Sequence, residues 1–228
     1  MSKAYVHSFG PPPDLIYDRN TRSYRLMPSG REVPSAAGIL EAAGFGTAEE
    51  HQTDIAVREA CAQVDLGQIA IGEVKPSLRA YVEAWLSFCK AFRARWAHVE
   101  THVLNTELGY ACTPSRLGHL FGSLGGAEGS SAAVEIVTDK TSCNCTTGPR
   151  LAAYQLACAA YFQAFTPELR ILVQLNSSGR YGFTALLDSC DEEFFLGALK
   201  KSKAPRGWRQ KLRRWFGRPM PKQMQAGV

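Results

Sequence analysis

The sequence predicts one α/β domain, a mixed central β-sheet flanked by helices, followed by a basic C-terminal tail. Three observations predict it. The chain has 228 residues of which 45% are hydrophobic, enough for one full-sized core. Helix-type and strand-type apolar periodicities alternate along it instead of falling into separate blocks. Charge divides sharply: from Lys200 onward there are ten Lys/Arg and no Asp/Glu, against 16 basic and 21 acidic residues before that point. The division falls as a domain over residues 1–202 and a tail over 203–228. An anionic partner should meet the tail first.

Taken in order, "LIYDRNTRSYRLMPSGREVPS" reads as a hairpin, two short β-prone runs parted by polar turn formers and closed by Pro-Ser-Gly. Ser35 is the natural N-cap of a short helix, "AAGILEAAGF", which Gly44 and Gly46 stop. A second helix runs through "DIAVREACAQVDLG". The longest, "KPSLRAYVEAWLSFCKAFRARW", has Pro76 at its start and an apolar stripe of Leu78, Tyr81, Val82, Trp85, Leu86, Cys89 and Phe92. Strand patterns follow in "HVETHVLN", "GYACTPSRLGHLFG" and "AAVEIVTDK", then the helix "PRLAAYQLACAAYFQAF". Two strands, "LRILVQLN" and "RYGFTALL", join through Ser-Ser-Gly. The closing helix, "DEEFFLGALKK", carries acids in its first turn and lysines in its last, as the helix dipole favours.

No apolar run approaches the roughly 20 residues of a membrane span, and "MSKAYVHSFGPPPDL" lacks the apolar core of a secretory signal, so the expectation is a cytoplasmic protein. Seven scattered cysteines argue against a disulfide framework. Cys143 and Cys145 are the one close pair, and a zinc site would need further Cys or His partners. His98 and His102 fall in one strand pattern and His119 in the next, with no spacing that builds a hydrolytic triad.

The order "REVPSAAGIL", "DIAVRE", "YVEAWLSF", "VETHV", "LGYACTPSRLG", "TDKTS", "RLAAYQL" and "VQLNSSGRYGF" resembles the phage and prophage, RecB-type branch of the PD-(D/E)XK nuclease superfamily, over about Leu15 to Lys200. The resemblance implies a restriction-endonuclease-like core and metal-dependent phosphodiester hydrolysis. In that chemistry Mg²⁺ or Mn²⁺ is held by one Asp and by a second acid on the next strand. A lysine two residues after the second acid shares its face of the strand.

Carried over residue by residue, the scaffold matches better than the chemistry. Ser115 stands at the first acid and Thr138 at the second, while Lys140 and Tyr154 are retained. Arg58 stands for a histidine and Arg150 for a glutamine. Neutral hydroxyls cannot replace two carboxylates around a divalent cation, and two arginines would repel it. Two rearrangements would restore an acid: a β-bulge turning Asp139 inward, or a register in which Glu135 takes the acid's place and Val137 the lysine's. The spacing from Lys140 to "LAAY" favours the unshifted register. Glu100 and Glu107 are the other available carboxylates.

A cleft holding Arg58, Arg150 and Lys140 could bind a nucleic-acid phosphate without cutting it. In the tail, a helical "RGWRQKLRRWFGR" would set Trp208, Leu212, Trp215 and Phe216 on one face, flanked by Arg209, Lys211, Arg213, Arg214 and Arg218. Such a segment suits a nucleic-acid backbone or an acidic protein partner, with an anionic membrane surface ranked behind them. The expectation is a catalytically impaired, DNA-binding nuclease-fold protein without a cofactor. Its alternatives are an active Mg²⁺- or Mn²⁺-dependent nuclease with displaced ligands, and an interaction module acting through the tail.

Overall fold

The computed structural model describes residues 15–18, 23–45, 52–139, 145–162 and 165–203. Lys140, Cys143 and every tail residue singled out above lie outside the described residues.

The chain opens with β1 (Leu15–Asp18), β2 (Ser23–Leu26) and β3 (Arg31–Pro34), an antiparallel sheet in that order. Three strands stand where the sequence reads as a two-stranded hairpin. The Pro-Ser-Gly turn, with Gly30 at φ +66°, reverses the chain fully, so "REVP" pairs back on β2 as a strand of its own. Ser35 then caps α1 (Ala36–Ala42), its Oγ accepting the Gly38 N–H at 2.9 Å.

Two helices follow, α2 (Gln52–Asp65) and α3 (Pro76–Ala91). The main sheet is built from β4 (Arg95–Val99), β7 (Arg116–Gly122), β8 (Gly126–Thr138), β9 (Leu169–Leu175) and β10 (Tyr181–Ala185). Its order is β10-β9-β8-β7-β4, and β5 (Val103–Asn105) and β6 (Tyr110–Cys112) pair separately. Only β8 and β9 run parallel, because α4 (Thr147–Tyr161) carries the chain back between them. α5 (Cys190–Lys203) closes the described chain.

Helices cover both faces of this sheet, as the two main core clusters record. On one face Val57, Trp85 and Phe88 of α2 and α3 pack on Leu120, Val134, Ile136 and Val173. On the other, α1, α4 and α5 bring Ile39, Leu151, Ala157 and Phe195 against Leu117, Ala133, Val137 and Leu172. β8 is therefore buried on both sides over "AAVEIV", which explains its continuous apolar run. Glu135 interrupts that run, and at 2% exposure it is a charge that the fold has to compensate. No helix among the described residues is long and apolar enough to cross a membrane.

Candidate functional site

Glu135 projects from β8 on the same side as Ala133 and Val137, the side covered by α4. Two guanidinium groups converge on one of its oxygens. Arg58 Nη1 of α2 lies 3.6 Å from Oε1 and Arg150 Nη2 of α4 lies 3.5 Å from it. The other oxygen, Oε2, meets Ser115 Oγ at 3.5 Å, and that same hydroxyl accepts the Ile136 N–H at 3.3 Å. Ser115 immediately precedes β7, whose first residue pairs with Val134, so strand register sets it beside Glu135. Arg150 and Tyr154 are four apart on α4 and share a face. The Tyr154 phenol is buried, and burial first, with Glu135 second, pushes its pKa up.

A second, deeper cluster adjoins the first. Arg116 is wholly buried. Its Nε meets Asp65 Oδ2 at 2.6 Å, and Nη1 reaches Glu100 Oε1 at 3.2 Å and the Ser115 carbonyl. The guanidinium carbon stands 5.3 Å from the ring centre of Trp85, whose Nε1 donates to both Asp65 oxygens. Glu100 is held in the left-handed region at φ +48°, with its N–H on the Ser115 carbonyl at 3.1 Å. Burial raises the Glu100 pKa to about 7, against the opposing pull of Arg58 and Arg116. Burial likewise raises Asp65, with Arg116 opposing. The two clusters join through Ser115 and balance three arginines against Asp65, Glu100 and Glu135. The Arg58, Arg150 and Glu100 side chains reach the outer edge at 22%, 21% and 31% exposure, against 3% for Glu135 and 0% for Arg116.

Thus Arg58, Glu100, Ser115, Glu135, Arg150 and Tyr154 come together. Thr138 does not join them. It lies three residues beyond Glu135, on the opposite side of the strand, and its N–H donates to Asp54 Oδ1 at 2.8 Å. Among the described residues, then, Glu135 and not Thr138 neighbours Ser115. β8 stays in register with β9 through Thr138, with no bulge at Asp139, which is exposed in the following turn and accepts from the Tyr81 hydroxyl at 3.2 Å. Glu107 is exposed in the turn between β5 and β6.

The histidines stay apart: His98 stacks on Phe162, His102 Nδ1 pairs with Thr113 Oγ1 and His119 packs edge-on to Phe165. Two residues of the site, Asp65 and Arg116, go unmarked by sequence reasoning, as does Asp54 beside it. Asp54 stands four residues before Arg58 on α2, a spacing that pairs them on one helix face. Nothing local distinguishes Arg116 from a surface arginine.

Magnesium and manganese are hard cations that take several oxygen ligands, chiefly carboxylates. The described donor set does not fit them. Ser115 is neutral, Glu135 already carries two guanidinium groups on one oxygen, and Glu100 is tied to Arg116. Among the described residues no group of three or more His, Cys, Asp or Glu is arranged to hold a metal ion. No protein-family model and no curated protein matches the chain. Among solved structures it aligns with SSO0001, known from a crystal structure, at 17% identity over 76% of this chain and 89% of that one. The TM-score is 0.31, too low to carry an argument about shared fold or function.

Proposed function

We propose that this chain is a PD-(D/E)XK-type protein of the phage and prophage RecB-like branch in which arginine has replaced the metal. In this reading its cleft holds nucleic-acid phosphate without hydrolysing it. One observation carries the reading: Arg58 and Arg150 stand 3.6 and 3.5 Å from Glu135, the residue that takes the second acid's place in the shifted register of the resemblance. The two guanidinium groups on this carboxylate are the solvent-facing cations of the cluster, at 22% and 21% exposure. Each guanidinium has five N–H donors in a planar fork, so an arginine oriented by Glu135 also has donors to offer a phosphate oxygen. Glu135 is then a positioning residue, and the arginines are the contact. The basic tail, outside the described residues, would add backbone contacts by its charge.

The test is fluorescence anisotropy of labelled single-stranded and duplex DNA with the full chain, run beside a cleavage assay in Mg²⁺ and Mn²⁺. Glu135→Gln leaves both arginines without their carboxylate and is expected to tighten binding. The triple change Arg58→Gln, Glu135→Gln and Arg150→Gln removes the cations without stranding a buried charge, and is expected to weaken binding and flatten its salt dependence. Binding unaltered by either variant would remove the cleft from the interface. Cleavage that vanishes in Glu135→Gln would instead establish an active nuclease with displaced ligands, for which the influence of Arg58 on both Glu100 and Glu135 is the supporting observation. DNA binding and salt slope unchanged on deleting residues 203–228 would take the tail out of the interface.

A further inference from the structure

The end of the sheet away from Glu135 carries another group of cations. Lys90 lies in the last turn of α3, Arg93 follows the helix and Arg95 opens β4, all three exposed. The guanidinium carbons of Arg93 and Arg95 stand 5.8 and 5.0 Å from the ring centre of Phe121, near the end of β7. That ring is fixed in place. The Phe121 N–H donates to the Phe92 carbonyl at 2.8 Å. Gly129, at φ +84°, lets the hairpin backbone close on the ring, since a Cβ there would fall 2.5 Å from Phe121 Cε1. Among the described residues none of the three cations forms an ion pair with a carboxylate, and neither does Glu128 beside Gly129.

The negative end of the α3 dipole accounts for Lys90 and Arg93. It does not account for Arg95, nor for two guanidinium groups gathered on one ring against their repulsion. The left-handed backbone of Arg93, at φ +44°, belongs to the end of α3, where the Arg93 N–H meets the Lys90 carbonyl at 3.3 Å and the Ala94 N–H the Cys89 carbonyl at 2.9 Å. We propose that Arg93 and Arg95, preorganised on Phe121 and supported by Lys90, form a contact surface for the phosphodiester backbone of a nucleic acid. Stacking on the ring fixes each planar fork while leaving its edge donors outward. Two guanidinium groups at 5.8 and 5.0 Å from one ring centre suit successive phosphates of a backbone better than a single carboxylate, which one fork satisfies. The surface shares no residue with the Glu135 cleft and lies about 17 Å from Arg116 along β7, at roughly 3.3 Å per residue.

The experiment is anisotropy of labelled single-stranded and duplex oligonucleotides over a salt series, with the full chain and Arg93→Gln/Arg95→Gln. Binding should weaken, and for single strands the slope of log affinity against log salt should fall by about 1.4 for two lost contacts. Arg93→Lys/Arg95→Lys, which keeps the charges, should retain the slope, so that a structural loss is told apart from a lost contact. The same decrement should appear in the triple cleft variant, which separates this surface from the cleft. An unchanged slope in the glutamine variant overturns the proposal, as does a wild type that binds neither oligonucleotide. Loss of affinity for poly-glutamate with nucleic-acid binding unaltered would overturn it in favour of an acidic protein partner.

Discussion

Removing Arg116 tests the deepest part of the site. The side chain is 0% exposed and Asp65 only 7%, so their contact at 2.6 Å is a buried ion pair closed by the Trp85 ring and its N–H. Arg116→Met keeps much of the volume and removes the cation. Asp65 then faces the core with the Trp85 donor as its remaining partner named above. Breaking a buried pair from one side costs about 3–5 kcal/mol, a large part of the roughly 5–15 kcal/mol that holds a domain folded. At about 2–4 °C per kcal/mol for a chain of this size, the melting temperature should fall by about 6–20 °C. Urea unfolding followed by tryptophan fluorescence and circular dichroism measures the loss. Adding Asp65→Asn removes the stranded charge but keeps an acceptor for the Trp85 N–H, so the double variant should be more stable than Arg116→Met alone. A single-variant loss below about 1 kcal/mol, well short of the cost of a stranded buried charge, would refute the reasoning. So would a double variant no better than the single one.

Two further outcomes follow from the same geometry. Burial raises the Glu100 pKa from its ordinary 4.5 to about 7, so the folded state holds this proton more tightly than the unfolded state. The stability Glu100 contributes is complete below about 4.5 and is lost as pH rises through about 7; Glu100→Gln should remove that part of the decline, read from unfolding free energies across the window. Gly118 has no room for a side chain, because a Cβ would lie 2.1 Å from the Arg95 carbonyl oxygen and 2.8 Å from Trp96 Cα. Backbone atoms cannot rotate away, so Gly118→Ala should cost at least the roughly 1–3 kcal/mol of an overpacked core. A parental urea midpoint for that variant would disprove the close approach of β4 and β7.

Much of the element order was legible because local signals wrote it. Pro76 at the start of α3, the Ser35 cap, the charge gradient of α5 and the apolar stripe through Tyr81, Val82 and Trp85 all act within a turn or two of chain. The third strand of the N-terminal sheet escaped because a four-residue edge strand differs little from a turn flank until β2 offers it a partner. The site was harder to read. Ser115, Glu135, Arg58, Arg150 and Tyr154 are all candidates from the sequence, yet the spacing to "LAAY" puts Thr138, not Glu135, at the second acid position. Register is decided by pairing across strands, and Arg116 opposite Val134 brings Glu135, not Thr138, beside that serine.

What the sequence by itself determined is the alternation of helix and strand, the separation of an acidic body from a basic tail, and the identities of most groups that meet around Glu135. These depend on residue type and near-neighbour spacing, which a linear string records. Only the tertiary structure decided which charges face one another. It put Arg58 and Arg150 on Glu135, sealed Arg116 between Asp65 and Glu100, and gathered Arg93 and Arg95 on Phe121. The physical reason is that Coulomb energy depends on distance and on the medium between charges. Residues such as Arg116 and Asp65, 51 positions apart, acquire both only when the sheet and its helices close around them.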